Sequence, residues 1–168
     1  DPDAAAAPVV GLSERYAPGR VDEHRHIRAQ IMLAEEGTLT VLTEAGSWVL
    51  PLNRALWIPG GTPHTLVCRK PVHLRTLYLD QSMPWTNLRA DIAVLQVPGL
   101  VRELIIAATE APWTYEQDSP SHRLAQVLCE RIVIIDHEPV HLPEPRDPRA
   151  RKFCALYFAN PAERRSVP

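Results

Sequence analysis

Short apolar segments, each ended by proline or glycine, fill the sequence between residues 21 and 80. Residues 38–43 show the pattern most clearly, because polar and apolar side chains alternate there as they do along a half-buried strand. About half a dozen such segments, with a turn about every 8–12 residues, are typical of a sandwich or barrel and not of a fold that alternates strands with helices. The 17 prolines favour many turns and few long helices. The sequence therefore predicts a mainly β domain.

Helical spacing replaces the strand pattern in the second half of the chain. Apolar residues recur at intervals of three and four from Leu100 to Ala108, which predicts a first helix that ends at the following proline. Ser119 and Pro120 then predict the start of a second helix, because serine is a good cap and proline suits a first helical turn. We expect this second helix to run to residue 136.

These patterns divide the chain into four regions. A proline-rich linker separates the second helix from a third, which we expect over residues 149–158. The first eight residues are rich in alanine, and we expect them to form a loose arm. The expected regions are an N-terminal arm over 1–20, a barrel core over 21–84, a helical dimerisation segment over 85–138, and a linker with the start of a further domain over 139–168.

Composition limits the classes of protein to which the chain can belong. Its 168 residues suit one domain, and 45% apolar with 23% charged residues is close to the globular average. No apolar run approaches the ~18–20 residues of a membrane span. A net charge of −2 argues against nucleic-acid binding by these residues themselves. Three cysteines without a CxxC pair indicate a reducing compartment, so we expect a cytoplasmic protein.

Histidines mark the candidate site. His24, His26 and Gln30 have the same parity along one segment, so on an extended strand their side chains point to the same face. A second segment, residues 59–64, contains two glycines that permit a tight turn and bring His64 inward. Neutral imidazole is the commonest ligand of divalent first-row metals, and zinc, nickel and iron all suit it. The alternative is that these are solvated strand histidines.

The two histidine segments resemble the two motifs of the cupin family. The sequence reads H-x-H-x3-Q-x6-G over residues 24–37 and P-x-G-x2-H over residues 59–64. The resemblance implies a cupin barrel, a double-stranded β-helix or jelly-roll, followed by two or three helices. It also implies that the family's metal ligands fall on His24, His26, Gln30 and His64. The sequence departs from the family where neutral Gln30 replaces a glutamate, so a polar pocket without metal is the alternative.

A closer resemblance covers most of the chain. Five segments are similar, in the same order, to the N-terminal region of AraC-type transcription regulators: residues 46–64, 74–79, 100–105, 142–149 and 161–166. The resemblance implies a cytoplasmic regulator whose cupin barrel senses a small-molecule effector and whose helices form a homodimer. DNA would be bound only through a C-terminal pair of helix-turn-helix units, which we expect to be missing from these 168 residues.

The barrel interior is the expected effector pocket. Trp57 and Tyr78 are candidates for its apolar walls, and Arg28 and Arg75 for binding a carboxylate, because the guanidinium fork matches that group. The alternative for each aromatic residue is a place in the ordinary core. Residues 132–135 are apolar around the whole circumference of the second helix, which favours a dimer interface there, with packing against the first helix as the alternative.

Three functions remain open at this stage. The first is an effector-sensing and dimerisation domain of an AraC-type regulator, which is not an enzyme. The second is a metal-dependent cupin enzyme, a dioxygenase or isomerase, since three histidines leave open positions on a metal. The third is a storage or interaction module without a ligand.

Overall fold

A computed structural model describes residues 1–83, 90–133, 137–138, 147–150 and 152. These ranges contain ten strands and two long helices. In chain order the elements are β1 Val9–Tyr16, β2 Gly19–His24, β3 Ala29–Glu36, β4 Leu39–Thr43, β5 Gly46–Leu50, β6 Arg54–Ile58, β7 His64–Cys68, β8 Val72–Leu79, β9 Ala93–Gln96, α1 Gly99–Glu110, α2 Pro120–Val133 and β10 His137–Glu138.

Two antiparallel sheets are built from strands that are distant in the sequence. The six-stranded sheet has the order β1-β8-β3-β6-β9-β10, and the four-stranded sheet has the order β2-β7-β4-β5. This jelly-roll arrangement, followed by two helices, confirms the expected mainly β fold. Residues 148–150 are helical, but the rest of the expected third helix lies mostly outside the described residues.

Side chains of the six-stranded sheet alternate between two cores. On the inner side, Met32, Leu56 and Leu74 pack against residues of the four-stranded sheet such as Leu39 and Leu66. On the helix-facing side, Ile31, Leu33, Trp57 and Leu77 pack in a second core with residues of α1 and α2, including Val101, Ile105 and Leu128. Both faces of this sheet are therefore buried, and β8 is buried along its whole length.

The N-terminal segment is part of the barrel, in contrast to the loose arm that we expected. Strand β1 pairs with β8 over its whole length, from Val9 with Leu79 to Tyr16 with Val72. Strand β9 pairs with β6, so the sheet takes in strands on both sides of the expected 21–84 core. Ala7 is buried before β1 begins. Hydrogen bonds hold the alanine-rich stretch in place, among them those from the Arg28 guanidinium to the carbonyls of Ala5 and Ala7.

Side chains from the α1–α2 connection cover the free edge of β1. The Tyr115 hydroxyl accepts a hydrogen bond from the backbone nitrogen of Val9 and donates one to the carbonyl of the same residue. The indole nitrogen of Trp113 donates to the Gly11 carbonyl at 2.9 Å. A Cβ atom on Gly11 would lie 2.5 Å from the Cα of Thr109, so glycine is what allows α1 to lie this close. These bonds protect an edge that would otherwise be open to pairing.

The second helix packs mainly within the chain. Ala125, Leu128, Cys129 and Ile132 are all buried in the core between the helices and the sheet. Ile132 therefore packs within the chain, which is the alternative to a dimer interface that the sequence left open. The side chains at 133–135, on which the expected surplus of apolar surface also depended, lie outside the described part. Within the described ranges no helix combines the length and apolar character needed to cross a membrane.

Candidate functional site

Three histidines converge where the two cupin-like segments, residues 24–37 and 59–64, meet. His24 at the end of β2 pairs directly with His64 at the start of β7. Their ring centroids are 4.4 Å apart, and the His26 ring lies 5.3 Å from that of His24 and 6.2 Å from that of His64. One nitrogen from each ring lies within 4.8 Å of the others, an arrangement able to hold a metal ion. The structure therefore brings together all three histidines of the candidate set.

Backbone carbonyls fix which nitrogen faces the centre of the cluster in two of the three rings. Nδ1 of His24 lies 2.8 Å from the carbonyl oxygen of Asp22, and Nδ1 of His64 lies 2.9 Å from that of Thr62. A carbonyl oxygen only accepts, so in both rings Nδ1 carries the hydrogen. The lone pair is then on Nε2. Metal-binding histidines commonly hold their second nitrogen in this way.

His64 is the most deeply buried member of the cluster. It is 1% exposed, and its Nε2 atom has no hydrogen-bond partner. Burial lowers the pKa of His64 to about 4, so the ring is neutral at physiological pH. Burial also lowers the pKa of His26. A buried, unpartnered lone pair on a neutral imidazole is costly unless it binds something, and a divalent metal is a ligand that it fits.

A glycine loop between β6 and β7 places His64. The backbone nitrogen of Gly61 donates to the His26 carbonyl at 2.6 Å, and that of Gly60 donates to the side chain of Gln81 at 3.2 Å. A Cβ on Gly60 would lie 2.1 Å from the carbonyl oxygen of Ile27. Gly61 has a φ of +80°, in the left-handed region. Glycine at both positions lets the loop lie directly against the segment that carries His26.

Tyr78 borders the histidines from the six-stranded sheet, and Gln30 is its neighbour on the adjacent strand. Gln30 on β3 pairs with Tyr78 on β8 in the sheet register, so the two side chains lie on the same face. The Tyr78 ring lies 4.9 Å from the ring of His26 in an edge-on contact. Burial is the main cause that raises the pKa of Tyr78 to about 12, so its hydroxyl stays protonated. Gln30, 2% exposed, contributes a neutral amide where the cupin pattern has a carboxylate.

The other three expected pocket residues lie elsewhere. Trp57 pairs with Ile31 and Arg75 pairs with Leu33, so both side chains are on the helix-facing side of the sheet, away from Gln30. Trp57 belongs to the core there. Arg28 uses its guanidinium to bind carbonyl oxygens of the N-terminal segment. The structure therefore corrects the expected pocket, because only Tyr78 of that set is beside the histidines.

A cleft of about 320 Å³ opens at the end of the barrel. Its size is within the lower range of small-molecule sites. Thr62, whose carbonyl binds His64, is part of its lining. The other lining residues are Ala45, Trp48, Pro59, Ala90, Asp91 and Ile92. Sequence reasoning did not identify this cleft, because its walls come from three separate connections of the chain.

Protein-family comparison places these residues in a known domain. The family described as the AraC-like ligand binding domain matches residues 7–164. The chain belongs to this family. This AraC-like domain is 29% identical over 140 residues to the HTH-type transcriptional regulator NimR of Escherichia coli (strain K12), a match that covers 83% of the chain and 50% of NimR. The domain thus spans half the length of that curated relative, and the family expected from the sequence is confirmed.

One solved structure supports the fold of this AraC-like domain over nearly its whole length. ToxT from Vibrio cholerae O395, bound to (E)-4-(8-methylnaphthalen-1-yl)but-3-enoic acid, superposes with a TM-score of 0.55 over 95% of the chain and 68% of ToxT. The two sequences are 7% identical, so the likeness concerns the fold alone. A cupin-2 domain protein from Shewanella frigidimarina NCIMB 400 aligns with 45% of the chain and 74% of its own, at 17% identity and a TM-score of 0.41.

Proposed function

We propose that this AraC-like domain senses a small-molecule effector through a divalent metal ion held by His24, His26 and His64. The observation that carries the proposal is the convergence of the three rings, with one nitrogen of each within 4.8 Å of the others. Three protein ligands leave coordination positions for a group from another molecule. Zinc, nickel and iron all accept imidazole nitrogen, so the proposal names the ligand set and not the element.

The charge of the site favours an anionic effector. Neutral imidazoles and the neutral amide of Gln30 leave the double charge of the ion uncompensated by these side chains. A carboxylate or phenolate on the effector would supply the missing negative charge. The protonated hydroxyl of Tyr78, beside His26, is available as a polar partner for that group.

Metal titration tests the ligand set. The protein, first freed of metal by a chelator, should bind about one equivalent of Zn²⁺ by calorimetry, and His64→Ala should abolish that binding. His122→Ala, which removes a histidine outside the cluster, is the matched control. At a free metal concentration 100 times Kd, binding should stabilise the fold by about 2.7 kcal/mol. Equal Zn²⁺ binding by the wild type and by His64→Ala would contradict the proposal.

The cleft beside Trp48 is a second candidate position for the effector. It is connected to the histidines through Thr62, whose carbonyl accepts the hydrogen bond from His64. Ala45 lines the cleft and is exposed in the β4–β5 turn, whereas its neighbour Glu44 is exposed outside the lining. Compounds that stabilise the protein against heat should lose their effect in Ala45→Trp and keep it in Glu44→Trp if they occupy the cleft. If the stabilising effect of a compound is lost only in His64→Ala, that compound binds at the metal and not in the cleft.

We further propose that the domain acts within a longer, homodimeric regulator that binds DNA through a region outside these 168 residues. Its membership in the family and its coverage of half of NimR support this proposal. Exposed apolar side chains on the two helices, Leu100 at 59% and Val127 at 42%, are candidates for the dimer contact. The alternative function, a metal-dependent cupin enzyme, uses the same three ligands. Turnover of a bound compound by the metal-loaded domain would favour that alternative.

A further inference from the structure

Asp3, in the N-terminal segment, is hydrogen-bonded to the backbone directly after His26. Its Oδ2 accepts a hydrogen bond from the backbone nitrogen of Ile27 at 3.0 Å, and its Oδ1 accepts one from that of Arg28 at 3.1 Å. The carboxylate therefore spans two successive backbone N–H groups, 24 and 25 residues away in sequence. Such an arrangement fixes both the position and the orientation of its oxygens.

The same carboxylate faces the ring of His26. Oδ2 lies 3.6 Å from Nδ1 of His26, and each of the two side chains is 18% exposed. Nδ1 is the nitrogen that, in His24 and His64, is bound to a backbone carbonyl. Asp3 thus faces the same ring nitrogen of His26 that the carbonyl oxygens face in the other two rings, at an ion-pair distance instead of a hydrogen-bond distance, and it brings a full negative charge.

Arg28 holds the rest of the N-terminal segment in place. Its guanidinium donates to the carbonyl of Ala7 at 2.8 Å and to that of Ala5 at 2.6 Å. The backbone nitrogen of Ala7 also donates to the Trp113 carbonyl at 3.3 Å. Asp3 is therefore presented to His26 by a segment anchored at several points along its length.

We infer that Asp3 is a positioning residue for the metal site, holding the Nδ1–H form of His26 so that Nε2 faces the cluster, and supplying the negative charge that Gln30 does not. The inference rests on the proposed metal site. A carboxylate at the second nitrogen of a metal-bound histidine favours the hydrogen on that nitrogen and makes the ring a better ligand, and the loss of such a partner commonly costs 10- to 100-fold in metal affinity. By reciprocity, a bound metal should hold the N-terminal segment more firmly.

Three variants separate charge, contact and background effects. Asp3→Asn keeps the size of the side chain and removes its charge, and Asp3→Ala removes the contact. Glu44→Gln removes a charge from an exposed carboxylate in the β4–β5 turn, away from the histidines. We expect the Kd for Zn²⁺ to rise about tenfold in Asp3→Asn and further in Asp3→Ala. Glu44→Gln should bind like the wild type.

A second measurement reports on the ring itself and does not need the metal. Nitrogen NMR of the metal-free protein distinguishes the two neutral forms of each histidine ring. We expect the Nδ1–H form of His26 to dominate in the wild type and to lose population in Asp3→Ala, while His24 and His64 keep theirs. A variant that merely weakened the fold would not change one ring selectively.

The outcomes distinguish this inference from the proposed function. If the wild type binds no Zn²⁺, the proposed function fails and this inference fails with it. If the wild type binds Zn²⁺ and His64→Ala does not, but Asp3→Asn and Asp3→Ala bind as tightly as the wild type, this inference alone is overturned. An unchanged His26 ring in Asp3→Ala would also overturn it.

Discussion

Arg75 donates from Nε to Oε2 of Glu35 over 2.7 Å, on the helix-facing side of the six-stranded sheet. The same guanidinium donates to the Thr109 hydroxyl at 3.0 Å and to a Glu110 oxygen at 3.3 Å, both at the end of α1. The Arg75 side chain is only 10% exposed and that of Glu35 is 23% exposed. The pair is therefore a polar contact between the sheet and α1, at a position where the sequence suggests an effector-binding arginine.

Glu35→Gln should destabilise the protein, whereas Glu36→Gln should change it little. The first substitution removes the nearer of the two carboxylate partners of the buried Arg75, which costs about 1–3 kcal/mol. Glu36 pairs with Arg15 at 2.7 Å, but both side chains are more than half exposed, and such surface pairs contribute little. Urea unfolding of the two variants gives the comparison. Equal free energies of unfolding for the two variants would refute the structural role of the Arg75 pair.

The same pair predicts how stability depends on pH. The hydrogen bond from Arg75 holds the pKa of Glu35 below its ordinary value of 4.5, against the effect of burial. A lowered pKa stabilises the fold at pH values above that of the unfolded chain, and the contribution is lost as the pH falls through the folded value. The difference in unfolding free energy between wild type and Glu35→Gln should thus be largest near neutrality and shrink below about pH 4.5.

Gln30→Glu should strengthen metal binding and weaken the metal-free fold. Gln30 is 2% exposed beside Tyr78, so a carboxylate without a partner there costs several kcal/mol, more than a neutral amide does. With a divalent ion present, the new charge attracts it by a few kcal/mol, and Zn²⁺ affinity should rise about tenfold or more. Gln96→Glu, on an exposed residue of β9, is the control for added charge. Zn²⁺ calorimetry showing no gain in affinity would place Gln30 outside the ligand set.

The histidine cluster was predictable because its signals are local. The cupin-like spacing of the two histidine segments and the glycine loop before His64 are both visible in the sequence. The strand assumed for them was wrong in detail, because β2 ends at His24, His26 lies in the connection that follows, and Gln30 lies on β3. The structure does not place Trp57 and Arg75, two of the predicted pocket residues, beside the histidines. Both faces of the six-stranded sheet are buried, one against the other sheet and one against the helices, so alternation does not reveal which face is the barrel interior.

Contacts between distant segments could not be predicted from the sequence. Asp3 meets Ile27 and Arg28, and Arg75 meets Glu35, only because the strands fold back on one another. An isolated acidic residue in an alanine-rich stretch carries no signal of such a contact. The order of β1 likewise depends on pairing with β8, more than 50 residues later in the chain.

Val127→Glu should separate the proposed homodimer without unfolding the domain. Val127 is 42% exposed on α2, whereas its neighbour Leu128 is fully buried, so that a charge at position 128 would disrupt the core. Val49→Glu is the matched control, because Val49 is the same residue type at the same 42% exposure on β5. Sedimentation velocity should show a monomer for Val127→Glu and a dimer for Val49→Glu. A wild-type monomer at tens of micromolar would contradict the dimer proposal.

Gly60→Ala should weaken the metal site, and two other glycines provide its controls. The new Cβ would lie 2.1 Å from the backbone oxygen of Ile27, so the loop that carries His64 must move. We expect a loss of about 1–3 kcal/mol in stability from this overlap, together with a clearly weaker Zn²⁺ affinity. Gly61→Ala meets no atom within 4 Å but keeps a φ of +80°, so it should cost about 1 kcal/mol with less effect on Zn²⁺. Gly99→Ala, in open space at the start of α1, should be neutral or slightly stabilising.

Calorimetry and urea unfolding of the three variants test this order. Undiminished Zn²⁺ affinity in Gly60→Ala would show that the contact between the loop and Ile27 does not place His64.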